Sequence, residues 1–308
     1  MIVVTSMAGD IVPFLEIEAK GIVKDIMIDD KNLYIATDNG LVQVYDVEKR
    51  KFIKEISLPK VKDFMGDMIP PKVFSVDFMD GRYMLLSDSG KGGYANLWIH
   101  ENNETIQLIN HELKKSVIKA KLVDKGHVLF GYLSNEAGLF DIKAKKELYK
   151  VQLSPSKFSD FALNEDKSIA VFSCESGVLS LLDTKTGKMT KELEGVNLDN
   201  VYKVDFKQGL ISGAGQDRKG SLYDAKSGKG DFIPGKFLIY ATGLSPSAKK
   251  VAFAMDEEND ISVYSVSTKS RIALLKGQNS TLNCIIFKDE ETIFSSSDDN
   301  VVIMWKLK

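Results

Sequence analysis

The sequence predicts an all-β fold, a seven-bladed β-propeller, and three observations carry that prediction. The first is a repeat. Apolar stretches ending in a large side chain recur at Tyr45, Trp98, Phe140, Leu182, Tyr223, Tyr264 and Trp305, with spacings of 53, 42, 42, 41, 41 and 41 residues. A period of about 40–45 residues is that of a propeller blade, at four strands per blade. The second is local. Short β-rich runs alternate with polar turns every 8–12 residues or so. Helices would need apolar residues at i, i+3, i+4 and i+7 over longer windows, and no convincing window exists. The third lies at the ends, where the last unit is one strand short and an apolar segment precedes the first unit.

The seven copies are LVQVYDVEKRK (41–51), YANLWIHENNE (94–104), EAGLFDIKAKK (136–146), VLSLLDTKTGK (178–188), GSLYDAKSGK (220–229), ISVYSVSTKS (261–270) and VVIMWKLK (301–308). Each reads as the third strand, c, of a blade. Blade one opens its strand a at Ile22. Blade four shows the whole unit: Phe158–Leu163 as strand a, 168–173 as b, 178–182 as c and Met189–Leu193 as d. Its turns carry Asn-Glu-Asp, Glu-Ser-Gly and Lys-Thr-Gly. The final unit has a (281–287), b (292–296) and c (Val301–Lys306), and there the sequence stops. Residues 11–17 are expected to supply the missing outer strand. That exchange removes two free edges and ties the ring shut. Residues 1–308 are therefore expected to form one domain, because any split would expose sheet edges.

Composition narrows the function classes. The chain has 308 residues, with 41 basic and 43 acidic side chains and a net charge of −2. That balance gives no electrostatic case for nucleic acid or an anionic membrane. No run approaches the ~18 apolar residues that span a bilayer. The start, 1–15, has no basic region and is interrupted by Asp10 and Pro13, so it is a poor signal peptide. A cytoplasmic location is expected, or a periplasmic one if a leader has been removed. Two cysteines, Cys174 and Cys284, cannot build a disulfide framework.

The final blade, LKGQNSTLNCIIFKDEETIFSSSDDNVVIMWKLK, resembles a repeat of the WD40 family. Such a repeat places Gly-His before strand a, Ser or Thr in strand b, Asp in the b–c turn and Trp in strand c. Trp305, Asp298 or Asp299, and Ser295 or Ser297 fill three of these roles, and Gln278 stands where the histidine would be. Elsewhere only Trp98 repeats the tryptophan, and a Trp-Asp pair never occurs. The resemblance covers about residues 20–308 and implies the propeller. Residues 154–168, 195–206 and 213–224 are also similar to WD40-like accessory proteins of nitrate-reductase gene clusters. That likeness implies a maturation or assembly helper.

Catalytic and metal-binding patterns are thin. His100, His111 and His127 lack paired ligand spacing. Cys174 and Cys284 read as buried thiols without a neighbouring base. Gly90-Lys91-Gly92-Gly93 precedes a strand, whereas a phosphate loop precedes a helix. No cofactor and no metal are called for. Acidic residues recur in the b–c turns at Asp38, Asp88, Glu175, Asp217, Glu258 and Asp298, where carboxylates ordinarily bond nearby backbone amides. Two positions per strand a face the channel: Asp25, Ser75, Asp77, Lys119, Lys121, Asp160, Lys203 and Asp205. They predict a wet, charge-balanced tunnel without an apolar pocket.

The informative departure is the first spacing. Its extra length lies in the d–a connection SLPKVKDFMGDMIPPK (57–72) and the b–c turn DSGKGGY (88–94), which emerge on one face. Phe64, Met65, Met68 and Ile69, with Lys91 and Tyr94, are the candidate partner-binding residues. Apolar side chains on a long loop either meet a partner or tuck back, here over the channel mouth or a blade edge. Methionine suits an adaptable interface. The favoured function is a non-enzymatic scaffold or accessory factor, acting as a monomer on a protein partner. The alternative is a propeller enzyme or ligand sensor working in the channel through Asp77, Asp160 and Asp205.

Overall fold

A computed structural model describes residues 9–307. Residues 1–8, on which part of the leader reading falls, lie outside the described residues. Strand follows strand throughout, and His111–Leu113 forms the one short helical turn among the described residues. The pattern of side chains explains which strands sit where. Asn32–Thr37, NLYIAT, is apolar on both faces and buried along nearly its whole length. Lys146–Gln152, KELYKVQ, alternates half-buried with exposed residues, as a strand with one wet face must.

Among the described residues seven blade sheets result; blades one to six run in sequence order from a at the channel to d toward the rim, and their a–d strands pair antiparallel. Blade one runs from Val23–Ile28 to Lys51–Ser57, blade two from Val73–Met79 to Glu104–Ile109, and blade three from Val117–Asp124 to Lys146–Gln152. Blade four runs from Phe158–Leu163 to Met189–Leu193, blade five from Val201–Lys207 to Gly230–Pro234, and blade six from Ala241–Leu244 to Arg271–Leu275. Blade seven holds Leu282–Phe287, Thr292–Ser297 and Val301–Lys306. Seven apolar cores alternate with the blades, each built from two neighbours. One joins blade one (Val23, Ile26, Leu33, Ile35) to blade seven (Phe294, Val302, Met304), so the ring is closed. Fully buried side chains of this size contribute about 1.5–3 kcal/mol each.

The N-terminal strand completes blade seven as expected. Leu15–Glu18 pairs antiparallel with strand c, Leu15 opposite Met304 and Glu18 opposite Val301. The segment 11–17 is not one strand, however. Asp10–Ile11 pairs in parallel with Leu274 and Leu275 on the rim of blade six. Pro13 separates the two pieces. It has no N–H for a ladder and packs over Gly277. The N-terminal segment thus staples two blades.

Blade seven carries a buried polar chain through the residues of the family likeness. Trp305 Nε1 donates to Ser295 Oγ at 2.8 Å, and Ser295 Oγ donates to Gln278 Oε1 at 2.7 Å. Gln278 Nε2 donates to Ser297 Oγ at 2.7 Å. The chain thus runs Trp305–Ser295–Gln278–Ser297. Asp298 turns away to pair with Lys24 at 3.4 Å. In blade two, Trp98 Nε1 donates to Ser87 Oγ at 3.1 Å. No helix among the described residues is long and apolar enough to cross a membrane.

Candidate functional site

The long d–a connection between blades one and two folds as a hairpin. Val61–Lys62 pairs with Met68–Ile69. Asp63 Oδ1 accepts from the amides of Gly66 and Asp67, both at 2.8 Å, which fixes the tip. The tip side chains then have nowhere to turn but outward. Phe64 is 90% exposed, Met65 72%, Met68 58% and Ile69 38%. Neither Phe64 nor Met68 lines a channel cavity, so the residues do not tuck back over the mouth.

The base of the hairpin rests on the b–c turn of blade two. A Cβ on Gly90 would sit 2.6 Å from the Lys62 carbonyl oxygen, and Gly90 itself has φ +71°. Both facts admit only glycine there. Lys91 stands exposed on the turn and Tyr94 is half-buried, with the Tyr94 amide donating to the Lys91 carbonyl at 3.0 Å. The two irregular loops are thus side by side, as their lengths imply. Leu198, 75% exposed on the d–a connection of blades four and five, shares this face. Its loop has ordinary length, so nothing in the sequence marks it.

The acidic b–c turns have local work. Asp38 accepts from the Ile22 amide at 2.9 Å, Asp88 from Lys72 at 2.9 Å and Asp217 from Leu198 at 3.0 Å. Each carboxylate fastens the start of its own blade's strand a. Glu175 instead pairs with Lys157 at 3.5 Å. Among the described residues no cluster of His, Cys, Asp or Glu could hold a metal ion. The three histidines have separate partners. His100 Nδ1 lies 2.8 Å from Thr105 Oγ1 inside strand c of blade two, and burial beside Lys54 lowers its pKa. His127 Nδ1 lies 2.9 Å from Asp124, and His111 opens the short helical turn.

In the channel, sheet register aims the charges. Strand a slips by one residue against strand b in blades one to five and seven, just before Asp25, Ser75, Lys119, Asp160, Lys203 and Cys284. These bulges turn those six side chains inward. The aspartates then reach across to the next blade. Asp25 accepts from the Val76 amide at 2.9 Å, and Asp77 from Leu122 at 2.8 Å. Asp160 accepts from Val204 at 3.1 Å and Asp205 from Leu244 at 2.8 Å. Lys119 pairs with Asp160 at 2.6 Å, and Lys121 with Asp25 at 3.2 Å.

Burial would raise the Asp160 pKa, but Lys119 and Lys203 outweigh it and hold the group below its ordinary 3.8. The Cys284 thiol lines the channel, and burial pushes it up to about 11. The tunnel is not lined by polar groups alone. Met27 and Ile286 form an apolar wall on blades one and seven. No family model matches the chain.

Proposed function

We propose that the chain is a non-enzymatic interaction scaffold that takes a protein partner on the face of the d–a and b–c loops. The observation that carries this reading is the ordered hairpin 61–69. It holds Phe64, Met65, Met68 and Ile69 out in water at a real solvation cost. Rigidly mounted apolar anchors are where binding energy concentrates. Lys91 and Tyr94 supply the polar flank beside them. The channel aspartates, including Asp77, Asp160 and Asp205, spend their oxygens on backbone amides of neighbouring blades. That supports a framework role for them over acid–base work. A WD40-like descent, the accessory or assembly role, action as a monomer and a cytoplasmic setting belong to this same reading.

The test is affinity capture from the native cell with wild type and a Phe64→Ser/Met65→Ser variant. Bound proteins are quantified by mass spectrometry. The variant should fold normally by circular dichroism, since both side chains are solvated. It should lose about tenfold or more of one specific partner, the loss typical of an anchor worth more than about 1.4 kcal/mol. Equal capture by both proteins would remove the hairpin from the interface.

A further inference from the structure

Two cavities enter the channel from opposite faces, about 370 Å³ from the side of the a–b turns and about 260 Å³ from the other. Asp25, Lys119, Asp160 and Lys203 line both and form the layer between them. The larger cavity has two unlike sides. One is the apolar wall of Met27 and Ile286. The other is charged. Its volume lies in the range of about 300–1,000 Å³ that small-molecule sites occupy.

Hydrogen bonding in the charged layer is unequal. Among the four channel aspartates every acceptor oxygen but Asp25 Oδ1 is committed. Asp77 and Asp205 each spend both oxygens on backbone amides. Asp160 gives one oxygen to Lys119 and the other to the Val204 amide. Asp25 Oδ2 takes both the Val76 amide and Lys121. The donors are not committed to the same degree. Lys203 makes no hydrogen bond or ion pair among the described residues, although the nearby charge of Asp160, against the pull of burial, keeps it protonated. An ammonium has three N–H donors and no acceptor. What this site lacks is therefore an anionic acceptor, placed within reach of an apolar wall.

We infer that the larger cavity binds a small amphiphilic carboxylate, its carboxylate on Lys203 and its hydrocarbon chain along Met27 and Ile286. A charge-assisted bond inside a shielded channel is stronger than one in water. Each buried methylene of the chain adds about 0.8 kcal/mol. An amine of the same length meets the like charges of Lys119, Lys121 and Lys203 in the cavity lining, with one carboxylate oxygen, Asp25 Oδ1, open to it. The site is separate from the hairpin, and neither reading depends on the other.

Isothermal titration calorimetry on the full chain tests this with octanoate, acetate and octylammonium. Octanoate should saturate at one site with a Kd below about 1 mM. Acetate should bind at least about tenfold more weakly, having lost six methylenes. Octylammonium should not saturate. Lys203→Met keeps the stem and removes the charge, and it should weaken octanoate about tenfold or more. Octylammonium binding as tightly as octanoate, no saturable octanoate binding, or unchanged affinity in a folded Lys203→Met protein would each overturn the assignment. The comparison of the two wild-type ligands decides the matter even if the variant fails to fold.

Discussion

Single side chains do the fastening in this ring. Asp160 is the clearest case, because it is 2% exposed, paired with Lys119 and bonded to the next blade's Val204 amide. Asp160→Asn should destabilise the fold by about 3 kcal/mol, as breaking a buried pair does. The pH dependence follows from the lowered pKa. The unfolded chain takes up a proton near the ordinary 3.8, while the folded chain resists until a lower pH. Stability from this group is therefore fully present above that value and is lost as pH falls through the folded-state value. Urea titrations near neutrality and at about pH 3 should show the deficit of Asp160→Asn shrinking on acidification. A deficit unchanged with pH would mean the pair is not the source. The positions of Asp160 and its fellows were legible as a recurring place in strand a. The bulges that aim them were not, because a bulge depends on register against strand b. Met27 and Ile286 occupy the same recurring place in blades one and seven, where apolar side chains replace the charges.

At the scale of elements, the two ends of the propeller meet through Leu15–Glu18. Ile17 faces the core of blades seven and one at 2% exposure, whereas Val12 stands 71% exposed one turn of chain earlier. Ile17→Asp should lower stability by more than about 3 kcal/mol, for a lost apolar contact and a buried charge. Val12→Asp should stay within about 0.5 kcal/mol. Thermal unfolding of both variants checks this, and equal midpoints would show that the strand does not seal the ring. That an N-terminal strand would complete blade seven was legible, since the last unit ends after three strands. Its division was also within reach, because Pro13 cannot donate to a ladder, but the parallel pairing of Asp10–Ile11 on blade six has no local signature. The hairpin 61–69 announced itself by loop length and apolar content. Its exposure did not, because a folded-back loop has the same composition.

Over the whole molecule, sevenfold repetition makes most of the surface routine and leaves one place irregular. Each of seven cores joins two blades, and the last joins blade seven to blade one, so the ring presents its loops as a rigid face. The d–a connection into blade two interrupts that regularity with a fixed apolar tip. The period of 41 or 42 residues made the ring legible. The one long spacing pointed to the tip. The central claim is that this tip is where a partner sits. A photoreactive phenylalanine analogue placed at position 64 tests it most directly, with the same analogue at Leu148 on the outer strand of blade three as control. On irradiation in the native cell, position 64 should give a discrete protein adduct and position 148 none. An adduct at 148 with none at 64 would contradict the account.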